Sequence, residues 1–305
     1  MGDMKESLFL VGGGGFIGKN LVRRLHDKYN ITVFDKFIDK PFFAQYPDVE
    51  TFAIDLVEDL IPRYDTFRPN YIINLAAIVT AERDMSLFDK MIQVNLKVLL
   101  NLFARFKDDR NLKLLVQFGS SEEYGSEFAP FYESQREIPT SPYALVKQLT
   151  VNTAIMLYRN YGFPTMAVRP GNIFGPMQPK NKFIPYVLEN LKAGYPIDVT
   201  PCEQKRDTLH VDDFIWMLDQ LLKHYEDCRG EIINLSSGES IMLKDIIEFG
   251  KAYLNSSSEV HYGKLPYRAN EVMDLRCSVE KFEEITGKKV HFNIKERLKQ
   301  YIDTL

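Results

Sequence analysis

Residues 10–18 read Leu-Val-Gly-Gly-Gly-Gly-Phe-Ile-Gly, a glycine turn wedged between a continuous apolar run and a helical pattern. Leu8, Phe9, Leu10 and Val11 make the run expected of a strand buried on both faces. Beyond the turn, Phe16, Ile17, Leu21, Val22 and Leu25 recur at helical spacing among Lys19, Arg23 and Arg24. Gly12, Gly15 and Gly18 fit a G-x-x-G-x-x-G pattern, while Gly13, Gly15 and Gly18 fit G-x-G-x-x-G. In either register the missing side chains let backbone close onto a pyrophosphate. The helix start then aims its N–H groups and positive dipole end at the anion.

A second apolar run, residues 31–34, ends at Asp35, 23 residues after Gly12. That distance suits a carboxylate that accepts hydrogen bonds from the adenosine ribose and repels a 2′-phosphate, so NAD is expected rather than NADP. Lys36 pulls the other way, because a cation there serves a phosphate. The expected cofactor contacts are therefore Gly12, Gly15, Phe16, Ile17, Gly18, Asp35 and Lys36.

The 305 residues are 45% hydrophobic with a formal charge of −4. That length supports a large core split between two lobes around one cleft. Basic residues are interspersed with acids, which leaves no electrostatic footprint for nucleic acid or an anionic membrane. Cys202, Cys228 and Cys277 are far apart and lack ligand spacing, which predicts a reducing compartment and no metal site. No stretch approaches the ~20 apolar residues of a bilayer span, and no leader pattern precedes the first run. A cytoplasmic protein is expected.

Further apolar runs at residues 52–54, 71–75, 114–118 and 165–168 are interleaved, in the later part, with helical patterns at 91–106 and 143–161. Such alternation predicts an α/β fold, a doubly wound parallel sheet of Rossmann type covered on both faces. After Arg169 the chain becomes proline-rich, with helical patterns at 183–193 and 242–254 and a sheet-like run at 232–235. The reading is a dinucleotide-binding domain, 1–170 and about 209–235, and a smaller, discontinuous α/β substrate lobe, 171–208 and about 236–305. Ligands of such sheets lie outside the carboxyl ends of the strands. Asp35, Asp55, residues 74–77 and residues 118–121 all fall there.

Among 16 tyrosines, one Tyr-x-x-x-Lys arises by chance, so the setting of Tyr143 and Lys147 matters more than the motif. They open a helical pattern directly after Ser141 and Pro142, which suit its N-cap and first position. Spacing of i, i+4 puts both on one face, where the Lys147 ammonium is expected to lower the phenol pKa and make tyrosinate available. Tyrosinate would take a proton from a sugar hydroxyl, and Lys147 would also hold the nicotinamide ribose. Ser120, 23 residues upstream at a strand end, would share the substrate proton.

These residues resemble the extended short-chain dehydrogenase/reductases, in the branch of NAD-dependent nucleotide-sugar epimerases, dehydratases and reductases. Residues 12–18 resemble that family's TGGAGFIG turn, with Val11 in place of threonine. Asp55-Leu56 resembles its adenine-contacting acid segment, Asn74-Leu75-Ala76-Ala77 its HLAA segment, and Asn95 the asparagine of its VN segment; the resemblance implies cofactor contacts at Asp55, Leu56, Leu75, Ala76, Ala77 and Asn95. Ser120, Tyr143 and Lys147 match its catalytic triad. Residues 169–176 are similar to its RxxNxxGP stretch, 206–213 to RDxxHVxD, and 267–271 to its late arginine segment. The resemblance implies that Asn172, Arg206 and Arg268 bind the sugar-nucleotide diphosphate, a task suited to planar guanidinium groups.

The branches share oxidation at C4 and differ in the fate of the ketone, and Gly119-Ser120-Ser121-Glu122-Glu123-Tyr124-Gly125 is the discriminating stretch. A 4,6-dehydratase of this family commonly carries an Asp-Glu pair after the catalytic Ser/Thr; here Ser121 and Glu122 stand instead. Glu122 suits a base, but Ser121 is a poor general acid. The run resembles most closely the reductases of GDP-4-keto-6-deoxy sugars. The expected activity is hydride movement at C4 of a nucleotide-linked sugar, GDP-linked by that resemblance, in surface-glycan or deoxysugar biosynthesis. A 4-epimerase comes next, then a 4,6-dehydratase; a non-catalytic nucleotide-sensing homologue would not need Ser120, Tyr143 and Lys147. Apolar residues on more than one face of 91–106 (Leu99, Leu100, Leu102, Phe103) and 143–161 (Leu149, Val151, Ile155, Met156) predict a homodimer like the family's four-helix interface.

Overall fold

The computed structural model describes residues 5–59, 61, 68–80 and 84–305. In chain order its strands are β1 (Ser7–Val11), β2 (Asn30–Asp35), β3 (Glu50–Ala53), β4 (Tyr71–Asn74), β5 (Leu114–Phe118), β6 (Thr165–Pro170), β7 (Asn172–Phe174), β8 (Ile197–Asp198), β9 (Lys205–His210), β10 (Ile232–Leu235), β11 (Ser240–Met242), β12 (Val260–His261) and β13 (Asp274–Leu275). Seven of them form one parallel sheet in the order β10-β6-β5-β4-β1-β2-β3, the expected doubly wound arrangement.

Strand alternation explains why the apolar runs are continuous rather than striped. Leu8 and Leu10 of β1 face a core with Leu21 and Val22 of the helix Phe16–Leu25 and Phe214 and Leu218 of the helix Val211–Lys223. Phe9 and Val11 face the opposite core, with Leu99 and Leu102 of the helix Lys97–Phe106 and Leu157 of the helix Pro142–Tyr161. All four strand residues are fully buried. Each stabilises the fold by roughly 1.5–3 kcal/mol relative to exposure.

The smaller lobe pairs β11, β9 and β13, with β7 also on β9; β12 pairs with β8. Its core joins Val187 and Leu188 of the helix Phe183–Ala193, Ile246 and Ile247 of the helix Leu243–Tyr253, and Leu298 and Tyr301 of the helix Ile294–Thr304. One segment departs from the expected boundaries. Phe282 of the helix Glu280–Thr286 lies in the sheet-side core beside Phe214 and Ile233, so part of 236–305 packs on the dinucleotide-binding side. The expected helix over 91–106 also differs: a π-helical turn, Ile92–Leu96, interrupts it. Such turns widen a helix and occur often at functional sites.

Candidate active site

Three features make the glycine corner fit a dinucleotide. Gly12 sits at φ +74°, and a Cβ there would lie 2.5 Å from the Ala76 nitrogen. A Cβ on Gly18 would lie 2.2 Å from the Gly13 carbonyl oxygen, so the helix can seat on the turn only without one. Gly15, by contrast, has open space where its Cβ would stand and forms the N-cap of the helix Phe16–Leu25, with no side chain capping its first turn. The turn thus combines packing glycines at 12 and 18 with an open one at 15, and the helix start presents N–H groups to an anion.

Asp35 ends β2 beside this corner. Its carboxylate accepts from the Gly14 nitrogen at 2.8 Å and the Phe37 nitrogen at 3.0 Å. That pins the acid where a ribose would lie, with lone pairs remaining. The Lys36 ammonium is taken by Asp55, 2.7 Å away, and the side-chain hydrogen bond to that carboxylate raises the lysine's pKa. The cation that favoured a 2′-phosphate is therefore neutralised. Asp55 also accepts from the Val57 nitrogen at 3.1 Å.

A cleft of about 1360 Å³ runs along the carboxyl ends of the strands. One end is walled by Gly12, Gly15, Phe16, Ile17 and Gly18, with Asp35, Lys36, Asp55 and Leu56 beside them, Leu75 and Ala76 packed against the turn, and Ala77 following. Ser120, Ser121, Glu122, Tyr143 and Lys147 line its middle, and Asn172, Arg206 and Arg268 its far end. Asn95 is the exception. It is buried beneath the wall, where its Oδ1 accepts from the Ile78 nitrogen at 2.8 Å, so it shapes the loop after β4 instead of lining the cleft. The π-helical turn places it there.

In the middle of the cleft, Ser141 caps the helix Pro142–Tyr161 by accepting from the Ala144 nitrogen at 3.1 Å, which sets Tyr143 on the first turn. Tyr143 is 7% exposed. Burial raises its pKa well above that of a free phenol, Glu122 adds to the rise, and a hydrogen bond with the Ser120 side chain opposes it. The expected lowering by Lys147 is overturned here. The ammonium donates to the Phe118 carbonyl at 2.9 Å, and burial lowers its own pKa to about 8 against the pull of Glu123. Desolvation of a buried hydroxyl outweighs a cation whose charge is itself desolvated.

At the far end, the Arg206 guanidinium pairs with Glu271 and donates to the Lys205 and Val272 carbonyls at 2.8 and 2.7 Å. Burial lowers its pKa, and the Arg268 charge adds to the lowering. Both guanidinium groups line the cleft, that of Arg206 held in place by Glu271 and two backbone carbonyls.

Sequence reasoning passed over a buried ion cluster behind the cleft. Glu123 and Arg169 are fully buried and paired at 2.9 Å, and Arg169 also pairs with Glu137. A signal was present: Ser120 and Glu123 have the S-x-x-E spacing of a capping box, and the structure forms that box over the turn Ser121–Tyr124.

The fold and this cleft together define a Rossmann-type enzyme of the extended short-chain dehydrogenase/reductase class. Residues 8–236 match the NAD dependent epimerase/dehydratase family, and the chain belongs to it. NAD is its cofactor. The chain is 24% identical over 279 residues to dTDP-4-dehydro-6-deoxyglucose reductase of Escherichia coli, covering 86% of each. It is 23% identical over 301 residues to CDP-abequose synthase of Salmonella muenchen, covering 98% of each. Among solved structures it is similar to UDP-N-acetylglucosamine 4-epimerase from Methanobrevibacter ruminantium M1 in complex with UDP-N-acetylmuramic acid, with a TM-score of 0.85, 24% identity and 98% of each chain covered. It also resembles UDP-glucuronic acid 4-epimerase from Bacillus cereus in complex with UDP-glucuronic acid and NAD, with a TM-score of 0.87, 19% identity and 97% and 98% coverage. Among the described residues, no helix is long and apolar enough to cross a membrane.

Proposed function

We propose that this enzyme moves hydride at C4 of a nucleotide-linked sugar, acting as a 4-keto reductase or, in reverse, a 4-dehydrogenase. The carrying observation is geometric: Tyr143, only 7% exposed, lines one cleft together with Ser120, Lys147 and the glycine corner. Gly12, Gly15 and Gly18 would hold the cofactor, which would supply hydride for C4 as NADH in the reductive direction or accept it as NAD in reverse. A phenol held protonated is the reagent ketone reduction needs, because the oxygen that gains negative charge at C4 takes the Tyr143 proton. Ser120 orients that oxygen through its own hydroxyl. In this reading Lys147 holds the nicotinamide ribose, and Arg206, Arg268 and Asn172, which line the same cleft, bind the diphosphate. The name of the Escherichia coli relative supports the reductive direction.

The named relatives carry dTDP-, CDP- and UDP-linked sugars, so the GDP linkage expected from resemblance forms no part of the proposal. A panel of GDP-, UDP-, CDP- and dTDP-sugars, each with its 4-keto form, tests the reading by nicotinamide absorbance and product mass. Interconversion of a 4-keto sugar and its alcohol supports it; conversion at C4 without net cofactor change identifies a 4-epimerase. Glu122→Gln separates out the dehydratase. Turnover within about twofold of the parent fits a C4 reductase, whereas loss of product with C4 oxidation retained assigns Glu122 as a C5 base and replaces the proposal.

We further propose a homodimer. Leu100, Leu145, Leu149 and Met156 are 38–43% exposed on two neighbouring helices, and Leu145, Leu149 and Met156 share one helical face. Sedimentation at micromolar concentration is expected to give twice the 35.4 kDa chain mass, falling to one chain in Leu149→Asp. A single chain in the parent protein rejects this assembly.

A further inference from the structure

Behind the cleft lies a run of charge that none of the roles above uses. Glu123 is fully buried; its Oε1 accepts from the Ser120 nitrogen at 2.7 Å and its Oε2 from Arg169 Nε at 2.9 Å. Arg169, also fully buried, reaches on to Glu137, and the other Glu137 oxygen accepts from Gln148 Nε2 at 3.4 Å. Gln148 adjoins Lys147 on the helix that carries Tyr143. The chain of bonds therefore starts at the Ser120 backbone, passes through β6, and ends one residue from Lys147.

We propose that Glu123 is a positioning residue: clamped by Arg169, it fixes the Ser120 backbone from behind and sets a fixed negative charge behind the strand end on which Lys147 is anchored. The inference rests on the C4 hydride-transfer reading above.

Geometry and charge both support it. Ser120 Oγ accepts from the Glu122 nitrogen at 3.2 Å while Glu123 accepts from the Ser120 nitrogen, so the serine is held from both ends of one short turn. The groups facing Lys147 are Glu123 from that turn, the Tyr143 ring from its own helix, 5.9 Å away, and the Phe118 carbonyl from β5; Arg169 of β6 lies beyond Glu123. Burial lowers the lysine pKa to about 8, and Glu123 is the group that opposes the fall. Burial also works against the charge on Glu123 itself, but a guanidinium 2.9 Å away does not shed its proton and holds the carboxylate ionised. Burial of Arg169 is in turn outweighed by Glu123, then Tyr124 and Glu137, so its own pKa lies above the ordinary value. A buried ion pair of this kind adds little net stability by itself. Its value lies in what it holds.

Two variants separate the two tasks. Glu123→Gln keeps shape and an acceptor for Ser120 but removes the charge; Glu123→Asp keeps charge but is one methylene too short to reach both partners. Trace acetylation of Lys147 by acetic anhydride across a pH series, read by mass spectrometry, reports its protonation without any turnover. The parent midpoint is expected near pH 8. In Glu123→Gln it is expected to fall by roughly one pH unit, and in Glu123→Asp to stay near the parent value. Single-turnover hydride transfer is expected to fall roughly 10- to 100-fold in both variants, with the KM for the nucleotide sugar within about twofold. An unchanged midpoint in Glu123→Gln, or an unchanged rate in Glu123→Asp, overturns the proposal. Should Glu123→Gln fail to fold, the rate of Glu123→Asp decides alone. Tyr143→Phe runs alongside: if it too transfers hydride at the parental rate, the chemistry assigned to the cleft is at fault, whereas its inactivity beside a fully active Glu123 pair sinks only the positioning role.

Discussion

Tyr143→Phe is expected to slow hydride transfer about 10²–10⁴-fold while leaving NAD binding and folding in place. The expectation derives from where the hydroxyl sits. The ring is packed with Met91 and Val146, and phenylalanine preserves that packing. What disappears is the hydroxyl that shares a hydrogen bond with Ser120 and carries the proton C4 chemistry requires. Absorbance of the nicotinamide under single-turnover conditions measures the rate, and nucleotide release on denaturation measures cofactor retention. A rate within about twofold of the parent would remove the proposed acid and revive a nucleotide-sensing role. Such an outcome would leave Ser120 and the buried Tyr143 with no chemical task.

The second large effect is expected at Gly12→Ala. A methyl group there meets the Ala76 nitrogen at 2.5 Å and its Cα at 2.6 Å, both backbone atoms that no rotamer change can clear. The residue also holds φ +74°, which costs a side chain roughly 1–2 kcal/mol before any clash, and overpacking adds about 1–3 kcal/mol. A fall in melting temperature of roughly 3–8 °C is expected, with NAD affinity lower by at least about tenfold because the turn and the loop after β4 form one wall. Calorimetry and NAD titration check both. Gly15→Ala is the control: its Cβ direction is open, so stability should survive while only the approach of phosphate suffers. Equal stability losses at the two glycines would mean that the corner does not distinguish a packing glycine from a ligand-facing one.

How far the residues announce this structure depends on what each signal rests upon. Residues 114–118 and 232–235 become β5 and β10 as expected, since a strand buried on both faces shows as an unbroken apolar run. The edge strand β3 is shifted, Glu50–Ala53 against the expected 52–54, because its side chains are only partly covered and no burial pattern marks its ends. Cleft residues that close local motifs, such as Gly12, Asp35 and Tyr143, are legible from spacing alone. Glu123 is not, because its burial depends on Arg169, 46 positions away, meeting it across β5 and β6. Asn95 is legible as a motif residue but not in its task, which a π-helical turn decides. The acidity of Tyr143 escapes for a related reason: spacing places the lysine on the same helical face, yet only the packed fold reveals how little water either group retains.

The way the chain weaves between its two lobes carries an implication for how either can change. Residues after β6 build one side of the smaller lobe, Val211–Lys223 returns to the large sheet, and later segments leave and return again at Phe282. Neither core is built from one continuous stretch of chain, so a single cut cannot exchange one lobe without severing the other, and changes to one lobe come more readily by substitutions and loop edits.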